Sequence, residues 1–536
     1  MSKFKIPQWA QPLIMAVFIA IGIVIGIWYA PSGRSGGSLF DQVVELIKYD
    51  YVDTVNLKKI QQEAIAEMLH ELDPHSSFIA AEDLQSVNEP LEGSFDGIGV
   101  EFTLDHDTIF IVNVIEGGPS ADLGLQSGDR IIEIDSEKVA GKGIDNDGVI
   151  KRLKGPKGTI VRVKVVRRGV AKPILYTITR GTIPIYSVDA AYMADNTTGY
   201  IKLSRFGETT VEEFERALDE LKTYGAKKLI VDLRDNGGGY LNAAVSLADL
   251  FLDDDKLVVY TKGRNASSEK FNATKPGPFE TGRIVILINE NSASASEILT
   301  GALQDWDRAL VLGRRSFGKG LVQNSFMLKD GSAVRLTTSR YYTPSGRSIQ
   351  RPYTKGYETY ESDYNNRFHS GEMFTADSMK KDEKLKFKTA GGRPVYGGGG
   401  IIPDVFVPLD TSNNSNYFTE LQANGLIRSY AYELVDRKAT TLKKYSSKEL
   451  FHSNYNVEDD VLISFFEFAK IAGVMPTNGD FSTSRELIRN HLKMNMARKL
   501  FGNTALYYEY NFQDKTFLKA LELLSTGNEH YWQGIK

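Results

Sequence analysis

A serine that precedes a predicted helix and a lysine between two glycines are the side chains best suited to chemistry. Ser294 follows the apolar run 284–288, which predicts a buried strand, and an apolar helix follows it. Helix N-terminal N–H groups at such a turn can stabilise an oxyanion. Lys319 lies between Gly318 and Gly320. A lysine can act as a base only if burial lowers its pKa from about 10.4. The residues thus suggest acyl transfer, although a serine there can also simply cap the helix.

The composition narrows the possible chemistry. The 536 residues include no cysteine and 7 histidines, which excludes disulfides, thiolate metal sites and cysteine nucleophiles. His369 is the only histidine between positions 107 and 451, which disfavours a Ser–His pair. The net charge of -4 argues against a dedicated nucleic-acid binder. We therefore expect no nucleic-acid partner, and acyl transfer by a serine and a lysine would need no metal and no organic cofactor.

A glycine-containing loop opens a β-rich region and consists of Gly97, Ile98, Gly99 and Val100. Such a loop directs consecutive backbone N–H groups into one concavity, which can hold the terminal carboxylate of a peptide. The strand that follows offers an edge to an added peptide strand. The runs 117–121 and 125–131 then resemble the helix and the Gly-Asp-x-Ile strand of PDZ domains. We therefore predict a peptide-binding PDZ domain with these four residues in its binding loop.

Strands that alternate with helices surround Ser294 and Lys319. Residues 229–233 and 284–288 read as compact apolar strands, and residues 241–252 and 296–303 read as the helices that follow them. This alternation is typical of an α/β core. The last 125 or so residues have the amphipathic spacing of helices. The fold class is therefore α/β within a multidomain α+β chain.

The N-terminal segment predicts a membrane anchor. No charged residue occurs from Ile6 to Gly33, and the 18 residues 13–30 are almost wholly apolar. As a helix they would span about 27 Å, close to the hydrocarbon thickness of a bilayer. Lys3 and Lys5 precede them, which places the N-terminus in the cytoplasm. A cleaved signal peptide is the alternative, but no clear cleavage site follows. We expect an uncleaved single-pass inner-membrane anchor.

Further sequence blocks resemble the C-terminal processing peptidases, also called tail-specific proteases, which use a Ser–Lys dyad. The resemblance extends over roughly residues 40–405. Its blocks are 72–76, 97–100, 232–239, 292–298, 301–305, 308–309, 317–323, 337–346 and 400–404. The resemblance implies Ser294 as the nucleophile, Lys319 as the general base and Gln323 as a residue that supports Lys319. It also implies an oxyanion hole formed by the backbone N–H groups of Gly238 and Ala295.

Two further positions follow from the same resemblance. Asp305 occupies an acidic position of the family, and we expect a structural or supporting role for it. Gly237 stands where many relatives carry proline, and it keeps the backbone donor. The resemblance also implies that movement of the PDZ domain relative to the core regulates the site.

The predicted domains follow from these observations. They are a membrane anchor and linker (1–38), a helical N-terminal region (39–93), the PDZ domain (94–180), an α/β protease core (181–408) with a surface insertion near 353–388, and a helical C-terminal extension (409–536). This extension offers a surface for homo-oligomerisation or for another partner.

The sequence predicts an extracytoplasmic, membrane-anchored serine endopeptidase whose catalytic part lies in the periplasm or outside the cell. Its PDZ domain would recognise free C-terminal tails of proteins, and its Ser–Lys dyad would cleave them. Two alternatives remain: a catalytically inactive PDZ scaffold that binds envelope-protein tails, and an adaptor for another protease.

Overall fold

The computed structural model describes residues 7–29, 38–105, 107–115, 117–264, 267–274, 276–477, 479–525 and 529–535. The chain forms two compact units, Met1–His70 and Glu71–Lys536. Most of the predicted linker, and the two lysines before the predicted anchor, lie outside the described residues.

The N-terminal unit contains α1 (Gln11–Tyr29), α2 (Leu39–Asp50) and α3 (Leu57–His70). A capping box begins α2: the Ser38 N–H donates to the Asp41 carboxylate at 2.9 Å, and the Asp41 N–H donates to Ser38 Oγ at 3.3 Å. Of the helices in the described ranges, none is long and apolar enough to cross a membrane. The structure therefore does not confirm the predicted anchor.

A small antiparallel β domain begins the second unit. Its elements and flanking segments are β1 (Ser77–Ile79), α4 (Leu84–Glu92), β2 (Ser94–Gly97), β3 (Val100–Asp105), β4 (Thr108–Val114), α5 (Pro119–Asp122), β5 (Arg130–Ile134), β6 (Glu137–Lys138), α6 (Asn146–Leu153), β7 (Ile160–Val166), β8 (Ile174–Thr179) and β9 (Gly181–Pro184). The sheet order is β3-β4-β5-β7-β8, with β6 beside β5. One face of this sheet buries Ile109, Ile111 and Ile131. In the described residues this sheet therefore has six strands, and α5 and α6 lie between them in the sequence.

The α/β core follows. Its elements are β10 (Val188–Met193), β11 (Thr198–Leu203), α7 (Thr210–Thr223), β12 (Lys228–Asp232), α8 (Leu241–Asp249), β13 (Leu257–Gly263), β14 (Glu269–Asn272), β15 (Ile284–Ile288), α9 (Ala295–Asp305), β16 (Leu310–Gly313), β17 (Leu321–Met327), β18 (Ala333–Tyr342), α10 (Tyr357–Glu361), α11 (Asp363–His369), β19 (Lys386–Lys388), β20 (Pro394–Tyr396) and β21 (Val405–Phe406). The main sheet has the order β10-β11-β12-β15-β16-β21 and is parallel from β11 onward.

Helices cover both faces of this sheet. Helices α7, α8 and α9 pack on one face, around Ile286 and Val231. The other face packs Val285 and Leu287 against residues of the C-terminal extension. Strand β15 is therefore buried along its whole length, which explains its unbroken apolar sequence. The loop from β15 to α9 lies at the carboxyl ends of the parallel strands, where ligands bind in such sheets.

A second sheet stands beside the first and carries the loop that contains Lys319. Its strand order is β1-β18-β13-β14, and β17 pairs with β18. Strand β17 begins at Leu321, directly after that loop. The predicted surface insertion contains α10 and α11, and it also buries Tyr360 and Arg367. It is therefore a folded part of the core as well as a surface segment.

The C-terminal extension is helical, as expected. Its helices are α12 (Asn416–Ala423), α13 (Leu426–Arg437), α14 (Ala439–Leu442), α15 (Lys448–Asn454), α16 (Asp459–Ile471), α17 (Asp480–Phe501), α18 (Asn503–Asn511) and α19 (Lys515–Leu524). Helices α12 to α17 contribute to a separate hydrophobic core. Helix α19 packs on the main sheet through Phe517 and Leu523.

Candidate active site

The loop between β15 and α9 places Ser294 in a strained backbone conformation. Its φ is 55° and its ψ is -114°, a combination that residues with side chains rarely adopt. Neighbouring residues fix this loop. The Ala293 N–H donates to the Asn236 carbonyl at 3.0 Å, and Ser292 Oγ donates to the Leu233 carbonyl at 2.8 Å. The loop that follows β12 therefore imposes the conformation of Ser294.

The loop before β17 carries Lys319 between two tightly packed glycines. Gly318 has a φ of 90°, and an added Cβ would stand 3.1 Å from the Gly400 nitrogen. A Cβ at Gly320 would stand 2.9 Å from the Gln350 nitrogen. Larger residues would push these segments apart. The glycines therefore allow the close approach that the sequence suggested.

The carboxylate of Glu297 joins these two loops. Its Oε2 accepts the N–H of Ser294 and the N–H of Lys319, both at 2.9 Å. Its Oε1 accepts the Gly318 N–H at 2.7 Å and the Ser316 hydroxyl at 2.5 Å. Glu297 is fully buried on the first turn of α9. One side chain thus fixes the backbone of Ser294 beside the backbone of Lys319.

Tyr341 of β18 makes a second link between the same residues. Its hydroxyl lies 3.2 Å from the Ser294 carbonyl and 2.6 Å from the Lys319 carbonyl, to which it donates. In the described part of the chain, no hydrogen bond joins Ser294 Oγ to Lys319 Nζ. The two backbones are therefore linked through Tyr341. Catalytic hydrogen bonds are often long before substrate binds.

Burial shifts the pKa of both ionisable groups at this junction. Burial lowers the pKa of Lys319 below its usual 10.5, and the charge of Arg335 lowers it further, while Glu297 and Asp73 raise it. Burial raises the pKa of Glu297 to about 7, against the four hydrogen bonds that favour its charged form. The environment thus favours a neutral Lys319, which is the form that can accept a proton.

His75 lies near Lys319, although it is far from it in the sequence. Its ring packs against Phe317, with 6.3 Å between ring centroids, and its Nε2 is 2.8 Å from the Tyr360 hydroxyl. Burial lowers the pKa of His75 to about 3, and the charge of Lys319 acts in the same direction. The sequence places His75 in the block 72–76 but does not indicate that it lies close to Lys319. Its ring nitrogen bonds Tyr360, and no contact with Ser294 is seen among the described residues.

The predicted oxyanion donors lie beside Ser294. A Cβ added to Gly238 would stand 2.8 Å from the Ser294 Cβ and 2.9 Å from the Ala295 nitrogen. The Gly238 N–H, however, donates to Asn236 Oδ1 at 2.9 Å. The Ala295 N–H, at the start of α9, has no protein acceptor in the described residues. The two donors are therefore adjacent, and Gly238 must release Asn236 before it can bind an oxyanion.

Gln323 contacts a polar network rather than Lys319. Its Nε2 donates to Thr337 Oγ1 at 3.3 Å, and Thr337 Oγ1 donates to Asp73 at 3.0 Å. Asp73 also raises the pKa of Lys319 through its charge. Gln323 lines a cleft of about 1240 Å³ together with Tyr240. In the described residues Gln323 is thus linked to Asp73 through Thr337 and makes no hydrogen bond to Lys319.

Asp305 lies at the far end of α9 from Ser294, about 16 Å away along the helix. It is buried and pairs with Arg347, with 2.8 Å between Nη2 and Oδ1. Its other oxygen accepts the Ser345 N–H at 3.0 Å. These contacts fit the structural role that the sequence predicted.

The predicted peptide-binding loop joins β2 to β3. Gly97 ends β2, Ile98 is buried, Gly99 has a φ of 76°, and Val100 begins β3. The carbonyl of Ile98 accepts the Ser120 N–H at 3.1 Å. The N–H groups of Ile98 and Gly99 bond no protein acceptor in the described ranges. These two donors are available to an anion such as a terminal carboxylate.

No group of three or more His, Asp or Glu side chains in the described residues could hold a metal ion. The described site consists of a hydroxyl, an amine, a carboxylate and backbone donors. This set of groups is suited to acyl transfer.

Three protein-family models match separate segments of the chain. The model of peptidase family S41 matches residues 197–357, and the PDZ domain model matches residues 110–167. A family of unknown function (DUF8443) matches residues 417–502.

Curated relatives match over most of their length. The carboxy-terminal-processing protease of Bartonella bacilliformis is 37% identical over 58% of this chain and 72% of its own. The carboxy-terminal processing protease CtpA of Bacillus subtilis is 35% identical over 60% of this chain and 68% of its own. Among solved structures, the photosystem II D1 C-terminal processing protease is 30% identical over 59% of this chain and 84% of its own, with a TM-score of 0.34. The chain belongs to the carboxy-terminal processing proteases of peptidase family S41.

Sequence reasoning missed the role of Glu297 and the proximity of Tyr341, Arg335 and His75. The signal for Glu297 was present, because Ser294 followed three positions later by glutamate is the pattern of a capping box. The other three side chains come from β18 and from the segment before β1. Only the tertiary fold brings them to the site.

Changing Glu297→Gln should lower kcat by about 10²-fold, because misplacing reacting groups by about 1 Å costs that much. The amide would turn a donor toward two of the four donors that now bond the carboxylate. Peptidase kinetics on a short peptide ester measure the effect. Glu290→Gln is the control, since Glu290 is also buried but pairs with Arg314. A kcat for Glu297→Gln equal to that of Glu290→Gln would contradict the positioning role.

Changing Arg335→Gln should move the pH–activity profile to higher pH. Removing this positive charge raises the pKa of Lys319, so a smaller fraction of the lysine is neutral at pH 7. The value of kcat/KM at pH 7 should fall, and activity should recover as pH rises. Arg340→Gln, on the same strand but exposed, is the control and should leave the inflection unchanged. An inflection that stays in place for Arg335→Gln would show that Arg335 does not tune the base.

Proposed function

We propose that this protein is a serine endopeptidase that captures free C-terminal tails in its PDZ domain and cleaves them with Ser294 and Lys319. One observation carries the proposal: Glu297 and Tyr341 each bond the backbones of both residues. The bonds fix the spacing of a nucleophile and a base on two different loops. A low pKa of the lysine is the second requirement, and burial of Lys319 acts in that direction.

The reaction begins when neutral Lys319 removes the Ser294 proton and the serine oxygen attacks the scissile carbonyl. The resulting oxyanion binds the Ala295 N–H and, once Asn236 releases it, the Gly238 N–H. Protonated Lys319 then gives its proton to the leaving amine. Water hydrolyses the acyl-enzyme in a second cycle with Lys319 again as the base. Gln323 supports this cycle through Thr337 and Asp73.

The PDZ loop supplies recognition in this proposal. The N–H groups of Ile98 and Gly99, which bond no acceptor in the described residues, bind the tail's carboxylate, and β3 pairs with the tail as an added strand. The substrate then extends from the PDZ domain toward the cleft beside Gln323. The related proteases are named for carboxy-terminal processing, which supports this direction of approach.

Ser294→Ala and Lys319→Ala should each lower the cleavage of an unfolded protein by about 10³-fold or more. The assay uses the full chain in detergent with a denatured protein substrate, analysed by gel and mass spectrometry. Ser325→Ala and Lys329→Ala change exposed residues of the β17–β18 hairpin, which follows Lys319, and serve as controls. A metal chelator should leave activity unchanged. Cleavage by both dyad variants at the parent rate would refute the dyad, and tail binding without cleavage by the parent would indicate a scaffold or an adaptor.

The location of the protein is a further part of the proposal. The apolar residues 13–30 support an inner-membrane anchor with the catalytic part outside the cytoplasm. In fractionated bacterial cells, the full chain should remain in the membrane pellet after an alkaline carbonate wash. A variant that lacks residues 1–38 should leave that pellet. Recovery of the full chain in the carbonate supernatant would contradict the anchor.

A further inference from the structure

The edge strand β3 of the PDZ domain presents different side chains to its two faces. In the described part of this sheet β3 pairs only with β4, so its other edge is open to a peptide. Val100, Phe102 and Leu104 pack on the core of the PDZ domain. The intervening residues, Glu101 and Thr103, must therefore point to the opposite face.

The C-terminal helices cover that opposite face. Phe110 and Val112 of β4 pack into the hydrophobic core formed by α12 to α17. On the neighbouring part of the sheet, Arg168 lies 3.6 Å from Glu433 of α13. The outer face of the PDZ sheet is thus an interface within the chain, and it is formed with the segment that matches a family of unknown function.

An ion pair stands where this interface meets the open edge. Arg498 of α17 donates to Glu101 at 2.9 Å, and Asn503 orients the guanidinium by accepting its Nε–H at 2.8 Å. The Glu101 side chain is 40% exposed and that of Arg498 is 19% exposed. The pair is therefore open to solvent and within reach of a strand added beside β3.

The charges around this pair sum to an excess of positive charge. Arg498 neutralises Glu101, while Arg428 of α13 adds a second guanidinium near Tyr432, and its buried Nε has no hydrogen-bond partner in the described residues. Asp436, also on α13, is paired with Lys499 at 2.6 Å. These three cations and two carboxylates leave one positive charge in excess, which favours a negative side chain placed here.

The direction of a bound tail follows from the loop. Its carboxylate lies at the start of β3, so the tail must run antiparallel to that strand. In an antiparallel pair, neighbouring side chains alternate between faces. The last side chain then faces the core side with Val100, and the penultimate side chain faces the side of Glu101.

We infer that Arg498 of the C-terminal helical domain is a specificity-determining residue that selects an acidic penultimate side chain in the substrate tail. This inference rests on the proposed capture of tails by the PDZ loop. It assigns a recognition role to helices that lie outside both the PDZ domain and the peptidase core. A basic penultimate side chain would instead compete with Arg498 for Glu101 and leave the guanidinium groups unpaired.

Binding of fluorescent ten-residue peptides to full-length Ser294→Ala tests this selection without cleavage. The peptides share one sequence and differ at the penultimate position, which is Glu, Gln or Lys. We expect the Glu peptide to bind about 2- to 5-fold more tightly than the Lys peptide, the upper part of the range for an exposed ion pair. Adding Arg498→Gln should abolish this preference and change the affinity for the Gln peptide less than twofold. Arg498→Lys should retain part of the preference.

Arg485→Gln is the matched control, because Arg485 lies on the same helix but pairs with the exposed Asp459. It should keep the full preference.

Glu101→Gln gives an independent test if Arg498→Gln unfolds the protein. Removing the competing carboxylate should increase the preference for Glu over Lys. A peptide with an amidated C-terminus distinguishes capture of the tail by the loop from selection of the penultimate side chain by Arg498. If the acid and amide forms bind equally, tail capture by the loop is wrong. If only the acid binds but the three peptides have equal affinity, the role of Arg498 is overturned and tail capture stands.

Discussion

The carboxylate of Glu297 is the constraint on which the site depends. A buried carboxylate is costly unless donors surround it, and this one accepts four hydrogen bonds from the loops of Ser294 and Lys319. Burial nevertheless raises its pKa to about 7. The same group therefore assembles the site and, through its charge, opposes the neutral state of Lys319. The burial of Lys319 and the charge of Arg335 act against that effect.

The rest of the fold makes this junction rigid. Strand β15 and helix α9 are buried along their lengths, and the Asp305–Arg347 pair secures the far end of α9. Such a support can maintain the strained φ of Ser294, which an exposed loop would relax. The reacting groups are less constrained than this backbone. In the described structure Ser294 Oγ does not bond Lys319 Nζ, and the Gly238 N–H bonds Asn236.

The sequence predicted the parts of the site that local patterns encode. The buried strand before Ser294, the glycines around Lys319 and the loop 97–100 are short motifs, and each lies where it was expected. The contacts of Gln323 and the proximity of His75 were not predictable, because they depend on how β18 and the segment before β1 pack against the core. The docking of the C-terminal helices on the PDZ sheet is also a tertiary property. Amphipathic spacing identified those helices but not the surface they cover.

The proposed reaction requires that Ser294 carries the acyl group of the acyl-enzyme and that Lys319 activates Ser294. Intact-mass spectrometry after rapid quenching with an activated peptide ester, followed by peptide mapping, measures this directly. We expect one acyl group, located on Ser294, that forms in the parent and disappears on further incubation. In Lys319→Ala the adduct should form at least about 10²-fold more slowly. An adduct on another residue, or one that forms equally fast without Lys319, would contradict the account.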